Sequence, residues 1–198
     1  IFKTVGRDKE LIYNQSFFCR NLEWNIPIAE SFVTILIHHF SPHSVVDIGC
    51  GNAEFLAQFQ KRGIEIKGYE GSPHALKKLM VQKQYVEQFD LRNKILVEKK
   101  YDVALCLEVA EHIEKKFSPQ LIDNVASLSD VVVFTAAPPG QGGHFHINEQ
   151  PREFWLTLFK ERDFEFTEML SHDISTEMRN NKIIWWYADN LMVFRKRN

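Results

Sequence analysis

The chain has 198 residues, of which 44% are hydrophobic and 13% aromatic, so it can build one substantial core but not two ordinary domains. Its formal net charge of −2 and its scattered lysines do not favour nucleic acid as a partner. The cysteines Cys19, Cys50 and Cys106 show neither metal-type spacing nor an even-numbered disulfide framework, which predicts reduced thiols and a cytoplasmic location. We expect a single domain over residues 1–198.

An amino-terminal arm, residues 1–43, precedes the first predicted strand. Its apolar run at residues 26–40 is interrupted by polar and charged side chains, so it predicts an amphipathic helix rather than a membrane span. The arm is also rich in aromatic side chains. These are Tyr13, Phe17, Phe18 and Trp24.

Apolar, β-branched runs then alternate with helical stretches, which is typical of β-α units that build a largely parallel sheet. Predicted strands cover residues 44–48, 64–70, 85–89, 102–107 and 129–135. Predicted helices cover residues 52–62, 73–81, 119–128 and 150–161.

The pattern changes after residue 161. Two apolar runs, residues 164–170 and 183–194, follow without a helical stretch between them and predict a terminal antiparallel hairpin. The polar connection, residues 171–182, is predicted to be an exposed loop. In the second run we interpret Trp185, Trp186 and Tyr187 as strand residues that pack in the core and at its edge; a stacking platform for bases is the alternative.

The first predicted strand ends at a glycine-containing turn. Asp47 is followed by Gly49 and Gly51 directly before a helix, and glycine lets backbone approach a ligand closely. Alone, such a turn fits any tight β-α connection. Glu54, in the first turn of the helix, would repel a pyrophosphate, which favours a ligand without phosphates.

Further acidic residues follow the later strands. Glu70 comes about 20 residues after the glycine turn, where a carboxylate can accept hydrogen bonds from both hydroxyls of a ribose. Asp90 could accept a hydrogen bond from an adenine amino group while Leu91 covers the ring; an Asx turn is the alternative. Residues 101–113 contain a buried strand followed by polar side chains that begin at Glu108.

Over about residues 44–135 the chain resembles the class I S-adenosylmethionine-dependent methyltransferase family. The resemblance rests on the order and spacing of Asp47-x-Gly49-x-Gly51, Glu70, Asp90 and the run from Tyr101 to His112. The resemblance implies an α/β, Rossmann-like, doubly wound fold in three α/β/α layers. Its seven-stranded sheet would have the order 3-2-1-4-5-7-6, with strand 7 antiparallel. The resemblance also implies that S-adenosylmethionine is the cofactor and that the arm acts as a lid; the alternative is that the arm only covers the sheet.

The resemblance assigns roles to particular residues. The glycines would flank the methionine moiety, Glu70 would hold the ribose, Asp90 and Leu91 the adenine, and Glu108 with Val109 would lie beneath the sulfonium. The predicted cofactor-binding residues are Asp47, Gly49, Cys50, Gly51, Glu70, Gly71, Asp90, Leu91, Glu108 and Val109. One departure is Ala53, where many members of the family have a third glycine.

The loop that follows the fifth predicted strand, residues 137–151, is the candidate acceptor site. His144, His146 and Asn148 alternate in it, and in an extended segment all three could point to one side. Since methyl transfer is an in-line displacement, a base is needed only for a hydroxyl or a protonated amine. The predicted catalytic residues are His112, His144 and His146; the alternative is that the loop histidines satisfy backbone groups or cap the next helix.

Three functions remain open. The favoured one is methyl transfer to an oxygen or nitrogen of a small-molecule or glycan-type acceptor, without a membrane or nucleic-acid partner. A metal-assisted RNA ribose 2′-O-methyltransferase is the alternative, because Glu108, Glu111 and His112 with a later histidine are similar to the metal site of small-RNA 3′-terminal methyltransferases. A divalent metal is not favoured, and no metal ligand is predicted. The third is a binding subunit without turnover.

Overall fold

The computed structural model describes residues 15–197, with side chains from Ile26 onward. The α-helices are α1 (Gln15–Phe40), α2 (Glu54–Lys61), α3 (Ser118–Leu128), α4 (Arg152–Lys160), α5 (Glu168–Asn180) and α6 (Trp185–Asp189). The strands are β1 (Ser44–Ile48), β2 (Glu65–Glu70), β3 (Val86–Gln88), β4 (Val103–Leu107), β5 (Val131–Thr135), β6 (Phe164–Phe166) and β7 (Met192–Lys196).

The strands form one seven-stranded sheet in the order β3-β2-β1-β4-β5-β7-β6. Strands β1 to β5 are parallel, whereas β7 runs antiparallel to both β5 and β6. One core packs α1, α2, α5 and α6 on one face of the sheet, and a second core packs α3 and α4 on the other. The strand order and the three-layer fold are therefore confirmed.

The first five strands lie within two residues of their predicted bounds. The predicted helix at residues 73–81 is wrong, since only a short 3-10 turn, Ala75–Lys78, forms there. The side-chain amide of Asn52 donates to the carbonyl oxygens of Ala75 and Lys78, and Met80 N donates to Asn52 O. These bonds occupy carbonyl groups that a longer helix would need for its own backbone.

The terminal antiparallel pair is confirmed, because Phe164 pairs with Lys196 and Phe166 with Phe194. Its connection is not an exposed loop. It contains α5, a helix whose residues Ser171, Ile174, Ser175 and Met178 are buried against the sheet layer. Trp185, Trp186 and Tyr187 lie in α6 rather than in a strand. The polar appearance of residues 171–182 comes from the solvent face of an amphipathic helix.

The predicted helix at residues 26–40 is the second half of α1, which packs on α2 and α5. The aromatic side chains predicted for the arm lie outside the described part of the chain. These are Tyr13, Phe17, Phe18 and Trp24, and the side chain of Cys19 lies outside it as well. Among residues 15–197, no helix combines the length and the apolar character needed to span a membrane.

Candidate functional site at the carboxyl edge of the sheet

The turn after β1 adopts the left-handed backbone that its glycines permit. Gly49 has φ +79° and Gly51 has φ +55°, and Ala53 adopts φ +62° without being glycine. A Cβ atom on Gly49 would lie 2.5 Å from Cγ2 of Val109, which follows β4. The structure thus brings the glycine motif into direct contact with the predicted residue pair Glu108-Val109.

Glu70 fixes the geometry of this turn. Its Oε2 accepts a hydrogen bond from Gly51 N at 2.8 Å, and its Oε1 accepts one from Ser72 N at 2.6 Å. Burial raises the pKa of Glu70 to about 6, although these backbone hydrogen bonds oppose the rise. Each oxygen retains a lone pair that can accept a further hydrogen bond.

A cluster of carboxylates surrounds the turn. Burial raises the pKa of Asp47, and the charges of Glu54 and Glu70 raise it further. The phenol of Tyr187, on α6, lies near the same groups; burial raises its pKa, and the charges of Glu54 and Glu108 add to the effect. Concentrated negative charge of this kind favours a cationic ligand and disfavours a phosphate.

The remaining predicted cofactor residues lie around this turn with different exposures. Cys50 directs its thiol toward Gly68, so that a Cβ on Gly68 would lie 2.7 Å from Sγ. Leu91 is buried, whereas Asp90 is exposed, forms an Asx turn with Arg92 N and pairs with the Arg92 guanidinium. A Cβ on Gly71 would lie 3.3 Å from Phe89 O, a close approach of backbone to backbone.

Glu108 anchors a polar network at the end of β4. Its backbone adopts φ +53°, and its N–H donates to the side-chain oxygen of Thr135. Its Oε1 accepts a hydrogen bond from Asn190 Nδ2 at 3.0 Å, and its Oε2 accepts one from Gln141 Nε2 at 3.3 Å. Sequence reasoning missed Gln141 and Asn190, because only the tertiary fold brings Asn190 next to a residue 82 positions earlier.

The turn after Glu108 contacts the acceptor loop directly. Glu111 is fully buried, and its carbonyl oxygen accepts hydrogen bonds from Ile147 N and Asn148 N. Burial and the charge of Glu108 raise the pKa of the Glu111 carboxyl, although the backbone N–H groups of Glu111 and Ala137 oppose the rise.

His112 and His146 are neighbours, with ring centroids 5.0 Å apart. His112 Nδ1 lies 3.1 Å from Phe145 O, and His146 Nδ1 lies 3.0 Å from Glu149 Oε1. Because both partners only accept hydrogen bonds, each Nδ1 carries the proton in the neutral ring. In this tautomer Nε2 is the unprotonated nitrogen of each ring. Nε2 of His146 packs against Gly143, where an added Cβ would lie 2.3 Å from it.

The predicted common orientation of His144, His146 and Asn148 is not found. The backbone of Phe145 has φ +60°, which breaks the alternation of an extended segment. His144 is exposed, whereas Asn148 is buried and donates to Ala110 O and Ser118 Oγ.

Glu149 organises the loop and was also missed. Its Oε2 accepts from Gly140 N and its Oε1 from Gly142 N, both at 2.8 Å. The Gly140 hydrogen bond, with those from His146 and Gly142, lowers the pKa of Glu149. The only sequence signal was a carboxylate at the end of a glycine-rich loop.

Four features together define a class I S-adenosylmethionine-dependent methyltransferase. They are the sheet order, the glycine turn after β1, the acidic residue that ends β2 and the Glu-containing turn after β4. The family described as "Methyltransferase domain" matches residues 27–169, and the chain belongs to it. A comparison with curated protein sequences gives no match.

Several solved structures share the fold. Magnesium protoporphyrin IX methyltransferase (ChlM) from Synechocystis PCC 6803, with bound SAH, is 18% identical with a TM-score of 0.58, over 70% of this chain and 72% of that one. The sugar N-methyltransferase KedS8 from Streptoalloteichus sp ATCC 53650 is 16% identical with a TM-score of 0.61, over 86% and 87%. The small RNA methyltransferase HEN1 is 14% identical with a TM-score of 0.58, over 84% of this chain and 25% of that one.

Proposed function

We propose that the protein transfers a methyl group from S-adenosylmethionine to an oxygen or nitrogen atom of a small-molecule or glycan-type acceptor. One observation carries the acceptor class: a groove of about 410 Å³ between α5, α6 and the start of α4. Its volume lies within the range of small-molecule sites. The likeness to the sugar N-methyltransferase, although it shows only a shared fold, is compatible with this class.

The groove lies beside the polar network of Glu108. It is lined by residues of α4, α5 and α6, among them Arg152, Met169 and Asp189. A smaller cavity of about 80 Å³ shares Arg152 and Asp189 with the groove and is also lined by Asn190, the residue that donates to Glu108. The two cavities are therefore neighbours, and the smaller one reaches the residue that donates to Glu108.

The lining of the groove suits a polar acceptor. Arg179 donates two hydrogen bonds to Asp189 Oδ1, and Arg152 donates to Asp189 O and lies over the ring of Phe166. Fixed guanidinium and carboxylate groups beside an aromatic face can hold the hydroxyl and amino groups of a sugar-like molecule.

The residues at the glycine turn fit the cofactor. When bound, S-adenosylmethionine supplies a methyl group on a positively charged sulfonium, ready for in-line displacement. Asp47 and Glu70 provide negative charge for its cationic groups, and the lone pairs left on Glu70 can accept the ribose hydroxyls. Gly49 lets Val109 pack directly against the turn, and Leu91 with Asp90 would cover and bind the adenine.

The chain's own groups can also remove a proton from the acceptor. His112 and His146 lie beside each other in the segments that follow β4 and β5, and Glu149 holds His146 in position. A hydroxyl or protonated amine needs such a base, so we assign this role to the two rings jointly. His144, which is exposed, is proposed only as an outer contact for the acceptor. The arm is proposed as a lid only for the residues before Ile26, because residues 26–40 pack on α2 and α5.

The test is a radiolabelled methyl-transfer screen with amino sugars, nucleotide-linked sugars and hydroxylated aromatic compounds. For an acceptor that reacts, Met169→Ala and His172→Ala should raise KM several-fold and leave the affinity for S-adenosylmethionine unchanged, because both residues line the groove and are exposed. Thr176→Ala is the matched control, an exposed α5 residue outside the groove lining. Unchanged KM in both groove variants would refute the groove as the acceptor site.

A second candidate is a metal-assisted RNA ribose 2′-O-methyltransferase. The observation that favours it is the cluster of Glu111, His112 and His146, whose ligand atoms lie within 4.8 Å of one another. Neither carboxylate oxygen of Glu111 accepts a hydrogen bond of normal geometry within the described part of the chain. A bound divalent ion would satisfy this buried carboxylate and lower the pKa of a ribose hydroxyl.

The two candidates differ in their need for metal. Activity on an RNA 3′ end that requires Mn²⁺ or Mg²⁺ and disappears in excess chelator would favour the second. Full activity on a small molecule in excess chelator would remove it. The net charge of −2 and the free thiols of Cys50 and Cys106 support the first candidate and a cytoplasmic location.

A further inference from the structure

The ends of helices α1 and α5 bring two imidazoles and one carboxylate together. Glu177 Oε2, on α5, lies 2.9 Å from His39 Nε2 and 3.8 Å from His38 Nδ1. The three ligand atoms all lie within 4.8 Å of one another. Because α1 ends directly before β1, this cluster is at the amino edge of the sheet, opposite the site of methyl transfer.

His38 and His39 are adjacent in the sequence, yet both reach the carboxylate of Glu177. Adjacent residues on a helix point about 100° apart, so their side chains do not normally converge. Here His38 presents Nδ1, which is close to the backbone, whereas His39 presents Nε2 at the far end of its ring. Both nitrogens consequently face the same carboxylate oxygen.

The separations match those of a metal site. With bonds of 2.0–2.1 Å, two ligands in tetrahedral coordination are about 3.4 Å apart. The observed separations of 2.9 and 3.8 Å lie on either side of this value, so small side-chain rotations would suffice. His38 is 73% exposed, which leaves the remaining coordination position open to water.

We propose that His38, His39 and Glu177 bind a divalent ion of the Zn²⁺ class and thereby clamp α1 to α5. Two imidazoles and one carboxylate suit Zn²⁺, Co²⁺ or Ni²⁺, whereas Mg²⁺ and Ca²⁺ require oxygen ligands. The site is separate from the Glu111 cluster. It does not depend on the proposed acceptor.

The clamp has a mechanical consequence for the methyltransferase. Helix α5 carries Glu177 near one end and lines the acceptor groove from Glu168 to Arg179. An ion at its far end would hold the wall of the groove against the helix of the arm. Zn²⁺ therefore stabilises the packing of α1 on α5, and its removal loosens that contact.

Hydrogen exchange with and without Zn²⁺ tests the clamp locally, which separates it from any ion at Glu111. We expect slower exchange in the last turn of α1 and in the second half of α5 with ZnCl₂, and no such change with MgCl₂. His38→Ala should weaken Zn²⁺ binding at this site by at least about tenfold, since even loss of an outer-shell partner costs 10–100-fold. Because the His38 side chain is exposed, the substitution should leave folding intact, and thermal unfolding without metal verifies this.

Glu177→Gln keeps the shape of the side chain but removes its charge, and it should abolish the protection. His172→Gln, which alters an exposed histidine on the same helix, should retain it. Absence of Zn²⁺-dependent protection in the unmodified protein would overturn the proposal. Protection that survives both His38→Ala and Glu177→Gln would overturn it equally.

Discussion

Replacing Gly49 by alanine tests whether the turn after β1 and the turn after β4 form one unit. The new Cβ would lie 2.5 Å from Val109 Cγ2, and Gly49 has φ +79°. A left-handed alanine costs about 1–2 kcal/mol, and overpacking costs about 1–3 kcal/mol. We expect Gly49→Ala to lower the free energy of unfolding by about 2–5 kcal/mol. It should also weaken cofactor binding, because Val109 and Glu108 must move.

Gly51→Ala is the matched control. Gly51 also has a positive φ, of +55°, but the nearest atom to an added Cβ is Glu54 Oε2 at 4.0 Å. Only the backbone term of about 1–2 kcal/mol applies there. Chemical denaturation gives both values, and isothermal titration gives the affinity for S-adenosylmethionine.

A double variant, Gly49→Ala with Val109→Ala, separates the two terms further. Removing the Val109 methyl groups should relieve the overlap, so the combined loss of stability should be smaller than the sum of the single losses. Equal losses for the two glycine variants, together with strict additivity in the double variant, would refute the proposed contact between the turns.

Three further predictions concern carboxylates of the site. Burial raises the pKa of Glu70 from 4.5 to about 6, so the unfolded state loses this proton first as the pH rises. Without cofactor, the free energy of unfolding should therefore fall by about 2 kcal/mol in total from about pH 3.5 to about pH 7. Glu70→Gln should lack this contribution when the two denaturation profiles are subtracted. Glu149→Gln should speed hydrogen exchange at the amides of Gly140 and Gly142 about tenfold, because a charge-assisted hydrogen bond contributes about 1.5–3 kcal/mol. The control Glu153→Gln, at an exposed position, should leave their exchange unchanged. Asn190→Ala removes the hydrogen bond to Glu108 Oε1, so it should lower kcat while changing the melting temperature by no more than a few degrees. An unchanged kcat would contradict the role of Asn190 in holding Glu108.

The sequence predicts a strand or helix correctly where its local pattern of apolar residues matches its burial in the fold. Strands β1 and β4 are buried on both faces, so their apolar runs are bounded clearly by polar and turn residues. Helix α5 was missed for the opposite reason. Only a narrow stripe, including Ile174 and Met178, contacts the core, and the charged residues around it conceal that stripe in a linear reading.

The sequence by itself determined the class of protein and the cofactor through its resemblance to the methyltransferase family. It also placed the motif residues together, because the carboxyl ends of parallel strands share one edge of the sheet. Only the tertiary structure decided which distant residues complete the site. Asn190 and Gln141 hold Glu108, and His146 joins His112, through contacts between segments far apart in the chain. Such contacts depend on how α5, α6 and the acceptor loop pack, and no local periodicity records that packing.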